Sequence, residues 1–394
     1  MLAGMLALLL CLATQPSAVV TSVDGTASVV VDGAARALAV EPALQRKLQD
    51  LIDVSRPQRG AVVFADIASG RVLALAEHDE IDPTHASAGL RPLAHAASVF
   101  KLVTMSALVR HGVDLDDVVC SSGGQTRIYP RDLVDAPWRQ TRCVRVEDAV
   151  PWSQNVTMAK LAGRHLSPAL LADEAERFGL VVPDGDSDSP PEPPPTTSLG
   201  LASFASIPAD DLQGFAVAAA GFGEVRLSGL DAVRLARTFA TGDDAPLQLF
   251  ADDAPGFTPR RVLEDRPRRL LQSMMLATTT RGTATRALHG HVKIPRELRG
   301  EPWEVDVAIA GKTGSLTDRV AGQDISWIMG FFPAQDPQVA FAVVVINDEW
   351  LWYTRALEVA RASIASYLRL HPELRSPRVS SSSSSSSSSS LATQ

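Results

Sequence analysis

Two apolar hairpin patterns, one towards each end of the chain, set the limits on what it can fold into. Ala61-Val62-Val63-Phe64-Ala65-Asp66 reads as a strand, Ala68-Ser69-Gly70 as a tight turn, and Arg71-Val72-Leu73-Ala74-Leu75-Ala76 as the returning strand. Towards the other end, Val305 to Ala310 alternates as a strand and runs into Gly311-Lys312-Thr313-Gly314-Ser315. Ile325 to Phe332 and Val339 to Ile346 then form a second hairpin across Pro333 to Pro337. A lone two-stranded hairpin is marginal in water. The simplest assembly is one antiparallel sheet built from both ends of a domain, flanked by helices, with the intervening stretch inserted as a mainly helical lobe. That is an α+β architecture.

Helical spacing supports the inserted lobe. Val146 to Ala149 starts a helical segment that breaks at Pro151 and resumes at Val156 to Ala162, with Trp152-Ser153-Gln154-Asn155 between the two. Asp173 to Phe178, Asp231 to Ala240 and Pro267 to Thr278 are further helices, and Thr279 to Gly290 is rich in Thr, Gly and Arg. Before the front hairpin, Glu41 to Val54 reads as an amphipathic helix, and Thr21 to Val40 holds one strand candidate at Ser28 to Val31. Trp352 to Leu370 reads as a long C-terminal helix. Pro183 to Pro195 is an acidic, proline-rich loop, and the run of eleven serines from Ser380 to Ser390 is too polar to fold.

Met1 to Ala13 is an uncharged Leu/Ala/Met run with the length of a signal-peptide core, too short to span a bilayer comfortably. It reads as a signal peptide or short membrane anchor over residues 1–18, against a buried N-terminal helix, and points to an exported or anchored protein. Residues 19–55 form an N-terminal extension, 56–371 the main domain and 372–394 a disordered serine-rich tail. In an exported protein Cys120 and Cys143 read as a disulfide; two buried thiols are the alternative. Without a C-x-x-C, and with eight scattered histidines, no metal site is expected. A net charge of −8 gives no case for nucleic acid.

Chemistry concentrates in three short motifs. Ser98-Val99-Phe100-Lys101 opens an apolar helix, and residues three apart share a helix face, so serine and lysine can meet there. A serine hydroxyl becomes nucleophilic when a neighbouring base takes its proton, and a lysine held neutral is such a base. Only five lysines occur, Lys47, Lys101, Lys160, Lys293 and Lys312, in a chain that otherwise uses arginine. A lysine can lose its proton there, whereas an arginine cannot. Ser153-Gln154-Asn155 and Lys312-Thr313-Gly314 follow in order. His95, three residues ahead of Ser98, reads as an exposed loop residue. Trp152 and Trp327 suit a cleft wall and a core equally.

In this combination the sequence resembles the penicillin-binding proteins, in particular their D,D-transpeptidase domain, from about Arg56 to Leu370. The resemblance extends to the hairpin Asp66 to Leu75, to Ala220-Gly221-Phe222-Gly223 with the following helix, to Gly282-Thr283-Ala284 and to Trp327 to Pro333. Cys120 and Cys143 are similar to a cysteine pair found in some members. The resemblance implies a β-lactamase/transpeptidase-like fold without a cofactor. It implies Ser98 as the acylated nucleophile, Lys101 as its general base, and Ser153 as the proton relay to the leaving amine. Asn155 would bind the substrate amide and hold Lys101, Lys312 would keep the site positive, and Thr313 would bind the substrate carboxylate. The backbone N–H groups of Ser98 and Ser315 would form the oxyanion hole, with Gly314 in the same strand.

The implied activity is a D,D-transpeptidase or carboxypeptidase that acts on peptidoglycan stem peptides, is acylated by β-lactams and works on the extracytoplasmic side, with cell-wall synthesis proteins as further partners. The alternatives are a class D-like β-lactamase and a sensor or scaffold acylated without turnover. A class A β-lactamase would carry a Glu-x-x-Leu-Asn stretch, which does not occur. Ala96-Ala97 stands where many relatives carry Pro-Gly, and Ser315 where a threonine is common. The residues ahead of Arg56 are too few for the large N-terminal domain of many relatives, so a nearly bare catalytic domain is expected.

Overall fold

The computed structural model describes residues 16–121, 128–135, 142–183, 203–253, 258–288, 307–348 and 355–374. The apolar segment 1–13, most of the acidic proline-rich loop and the serine run lie outside them.

Three short strands, β1 (Val20–Thr21), β2 (Ala27–Val31) and β3 (Ala34–Ala37), form a meander where a single strand is expected from the sequence. Asp32 and Gly33 both take positive φ, 50° and 79°, which suits a two-residue hairpin turn and folds Ala34–Ala37 back onto β2. The amphipathic helix follows as α1 (Pro42–Ser55), then β4 (Arg59–Asp66) and β5 (Val72–Asp79).

The chain then passes through β6 (Ala94–His95) and a 3-10 turn at Ala97–Val99 into α2 (Lys101–Arg110). The lobe that follows contains β7 (Val118–Ser121), α3 (Pro130–Leu133), β8 (Arg142–Arg145), α4 (Val146–Ala149), α5 (Asn155–His165) and α6 (Pro168–Arg177). It continues with β9 (Phe204–Ala205), α7 (Leu212–Ala219), β10 (Val225–Leu227), α8 (Gly229–Thr241), β11 (Asp243–Asp244), β12 (Arg260–Arg261), α9 (Asp265–Thr280) and α10 (Thr285–Leu288). The last elements are β13 (Ala310–Asp318), β14 (Gln323–Phe332), β15 (Val339–Asp348) and α11 (Ala356–Leu370).

The two ends of the domain do build one antiparallel sheet, in the order β13-β14-β15-β4-β5. Val339 pairs with Asp66 and Val343 with Val62, so the back hairpin docks directly onto the front one. Both faces are buried, which explains why these strands read as continuous apolar runs. Val62, Phe64, Phe341, Val343 and Val345 pack against Leu44, Leu48, Val359 and Ile364 of α1 and α11. Their alternate neighbours Ala61, Val63, Ala342 and Val344 share the second core with α2, α8 and α9, including Val103, Val233, Phe239 and Met275.

The strand expected at Val305–Ala310 begins only at Ala310 and runs on to Asp318, so Lys312-Thr313-Gly314 lies within the strand rather than at its end. The Ala308 and Ile309 carbonyls are taken by Ala334 N–H and the Thr279 hydroxyl instead of a sheet partner. Residues 305 and 306 lie outside the described residues. Cys120 and Cys143 face each other on β7 and β8 and are joined as a disulfide. Among the described residues no helix is long and apolar enough to cross a membrane, and no group of three metal-ligating side chains occurs.

Candidate active site

The site is built where the edge strand β13 meets the start of α2. β6 and β10 pair antiparallel, His95 opposite Arg226, and Ala96 N–H donates to the Val225 carbonyl. This fixes the chain just before it turns. Ala97 makes the turn in the left-handed region at φ 47°, where a residue with a Cβ is strained. Ser98 therefore sits in a 3-10 turn one step ahead of α2, not in the α-helix itself. In a 3-10 turn residues three apart eclipse. Lys101 Nζ stands 2.6 Å from Ser98 Oγ and donates to the Ala220 carbonyl at 2.8 Å.

Lys101 is fully buried, with the Phe222 ring 5.0 Å from its Nζ. Burial, and then the charge of Lys312, hold its pKa well below the ordinary lysine range. The Ala220 carbonyl belongs to a turn made possible by Gly221, at φ 86°. Gly221 packs so tightly on the Ala97 carbonyl that a Cβ would lie 1.8 Å from that oxygen. The sequence flags the glycine turn but not this acceptor, because a main-chain oxygen carries no residue-type signal.

Ser153 also takes a left-handed conformation, φ 53°, in the turn after α4, where its N–H donates to the Val150 carbonyl. Backbone strain of this kind gathers at functional sites, where surrounding structure holds it in place. The turn aims Ser153 Oγ at β13, where it accepts from Lys312 Nζ at 3.1 Å. Asn155, two residues on, is buried at the first position of α5.

Lys312 is fully buried and also donates to the Thr313 carbonyl at 2.8 Å; burial brings its pKa down to about 7. Thr313 Oγ1 shares a hydrogen bond with Thr283 Oγ1 at 2.6 Å. Gly314 lies against the Ala96 carbonyl, 3.2 Å from where a Cβ would be, and Ser315 beyond it is exposed. The structure thus brings Ser98 to Lys101 and Ser153 to Lys312, with the β13 edge running past both.

His95 departs from expectation. It is 7% exposed, not a surface loop residue, because pairing with β10 draws it inside. Its Nδ1 lies 2.8 Å from the Gly223 carbonyl, and its Nε2 lies 3.2 Å from an Arg226 guanidinium nitrogen. A nitrogen facing a carbonyl carries a proton, so His95 donates from Nδ1, while its Nε2 also lies 3.5 Å from an Asp318 carboxylate oxygen. Trp327 resolves to the core, and its indole N–H donates to the His95 carbonyl at 2.9 Å. Trp152 is 44% exposed beside Ser153.

This arrangement places a hydroxyl, a deprotonatable amine and a second amine in one cleft, a set suited to acyl transfer. Comparison with known proteins agrees. The chain is 25% identical over 370 residues to the peptidoglycan D,D-transpeptidase PbpA of Mycolicibacterium smegmatis, across 84% of this chain and 72% of the relative. It is 26% identical over 335 residues to PbpA of Mycobacterium tuberculosis, across 74% of this chain and 62% of that protein. The penicillin G acyl-enzyme complex of M. tuberculosis penicillin-binding protein A superposes with a TM-score of 0.61, at 22% identity, over 84% of this chain and 79% of the other. The family model for the penicillin-binding protein transpeptidase domain matches residues 60–366, from the first strand of the central sheet into its last helix. The chain belongs to that family.

Proposed function

We propose that the chain is a penicillin-binding D,D-transpeptidase or carboxypeptidase that acts on peptidoglycan stem peptides through an ester on Ser98. The observation that carries this reading is the fully buried Lys101 amine, 2.6 Å from Ser98 Oγ and held towards its neutral form. Neutral Lys101 takes the hydroxyl proton as Ser98 Oγ attacks the carbonyl carbon of the scissile D-alanyl-D-alanine amide. The negative charge that develops on the carbonyl oxygen is met by N–H groups of Ser98, at the start of the α2 turn, and of Ser315 on β13. Ser153 relays the proton to the departing amine nitrogen, the C–N bond breaks, and the terminal D-alanine leaves. A second amine, or water, then attacks the ester carbon and returns the proton to Ser98. Asn155 binds the substrate amide, and Lys312 and Thr313 hold its terminal carboxylate. A β-lactam enters by the same attack, with its ring C–N bond as the one broken.

The relatives named as peptidoglycan D,D-transpeptidases support an extracytoplasmic site of action. On this reading residues 1–18 are the export or anchoring segment, 56–371 the catalytic domain and 372–394 a polar tail. The test is incubation of the full chain with a fluorescent penicillin, followed by mass measurement of the intact protein. The expected result is a stable one-to-one adduct that is lost in Ser98→Ala and reduced at least ~100-fold in rate in Lys101→Met. Rapid release of hydrolysed drug would redirect the reading to a β-lactamase, and labelling that survives Ser98→Ala would overturn it.

A further inference from the structure

Thr283 lies outside the three motifs, yet its hydroxyl oxygen stands 2.6 Å from that of Thr313, in the mouth of the site. Several contacts hold it there. Its N–H donates to the Pro151 carbonyl at 3.1 Å, two residues ahead of Ser153. Gly282 permits this approach, because a Cβ there would lie 2.3 Å from the same carbonyl oxygen. Arg281 forms an ion pair with Asp148 on α4. On the other side Ala284 N–H donates to Thr278, and the Thr279 hydroxyl binds the Ile309 carbonyl just ahead of β13. The segment after α9 is thereby pinned to the Ser153 turn and to the strand that carries Lys312. Thr283 remains exposed while Thr313 is buried.

Two hydroxyls at this distance cannot both donate to each other. One proton lies in the bond between them, and the other is free to point into the cleft. When a carboxylate arrives, each hydroxyl can turn to one of its oxygens, exchanging their mutual bond for two charge-assisted ones. We propose that Thr283 is a second carboxylate-binding residue, which forms with Thr313 a two-hydroxyl cradle for the terminal carboxylate of the donor peptide or β-lactam. This rests on the acyl-Ser98 reading, and adds to it the residue that makes the site selective for a free C-terminal acid.

The test compares acylation of the full chain by benzylpenicillin and by its methyl ester, which differ only in the charged group. Thr283→Val is expected to lower the second-order acylation constant for benzylpenicillin roughly tenfold or more, while leaving that for the ester unchanged. Thr283→Ser, which keeps the hydroxyl, is expected to restore benzylpenicillin acylation to within about threefold of the parent. An equal loss with both compounds would show that Thr283 only supports the fold, and would overturn the proposal, as would no loss with either. Failure of the parent protein to be acylated by either compound would instead overturn the acyl-serine reading, and the cradle with it.

Discussion

Lys312 Nζ donates to Ser153 Oγ over 3.1 Å, and this bond joins the edge strand of the sheet to the turn between α4 and α5 in the inserted lobe. Both amines of the site, Lys101 and Lys312, are completely buried. Two buried cations in one cleft repel, so the arrangement favours one charged and one neutral amine. On the proposed mechanism the hydroxyl beside each divides the labour: Lys101 works on Ser98, and Lys312 holds Ser153 and the anion-binding end.

A pH dependence follows. On the proposed mechanism acylation requires Lys101 neutral and Lys312 charged. Burial places Lys312 at about 7. Its charge is present below that value and lost above it, so the second-order acylation constant falls as pH rises through about 7. Lys101 is itself held well below the ordinary lysine range, first by burial and then by the charge of Lys312, so the alkaline limb reports Lys312. Lys312→Arg keeps the charge at all accessible pH values, so its alkaline limb should vanish even if its maximum rate is lower. Stopped-flow acylation between about pH 5 and about pH 9 checks this; an alkaline limb unchanged in Lys312→Arg would assign the titration to another group.

The same burial sets a cost in stability. An unfolded lysine keeps its proton to about 10.5, and Lys312 in the fold keeps it only to about 7. Between those values the unfolded chain binds more protons, so this residue makes stability rise with pH across the window, and its penalty is full below about 7. Lys312→Met removes the buried amine and leaves the Ser153 hydroxyl and the Thr313 carbonyl short of one donor. The net expectation at pH 7 is a gain of about 1–3 kcal/mol in unfolding free energy, together with loss of acylation. Urea unfolding of the two proteins measures it; a loss of stability of the same size would mean that the two hydrogen bonds outweigh desolvation.

Much of the fold is legible in the sequence, because the sheet's apolar runs are strong local signals, and the three polar motifs, weak singly, gain specificity from their combination and order. Val62 and Val343, though far apart in the chain, read as parts of one sheet because neither hairpin can stand alone. What escaped reading was set by tertiary contact. His95 reads as a loop residue in the sequence, and its pairing with Arg226 buries it. The helix Leu212–Ala219 carries no polar stripe to mark its period, and its start is fixed by Asp211, whose side chain accepts from Gln213 N–H. The strand of the third motif was displaced because Thr279 competes for the Ile309 carbonyl. Ala220 and Thr283 lie in segments that the resemblance marks, but their contacts in the site, through a main-chain oxygen and through an element distant in sequence, follow from no spacing rule.

Two glycines of the turn that receives Lys101 allow steric fit to be separated from backbone conformation. Gly221 and Gly223 both have positive φ, 86° and 76°. Alanine at either position bears the left-handed strain, about 1 kcal/mol. At Gly223 the added Cβ would meet only a Val217 methyl, at 4.0 Å. At Gly221 it would lie 1.8 Å from the Ala97 carbonyl oxygen, a backbone atom with no rotamer by which to escape. Relief requires moving either Ala97, which is bonded to Ser98, or the Ala220 carbonyl that holds Lys101. Gly221→Ala should therefore cost on the order of 3 kcal/mol or more and slow fluorescent-penicillin labelling at least ~tenfold. Gly223→Ala should cost about 1 kcal/mol and label at nearly the parental rate. Thermal unfolding and labelling kinetics on the two variants decide it. Equal losses at both glycines would mean that conformation alone governs this turn, and that the close packing of Gly221 under Ala97 does not position the serine.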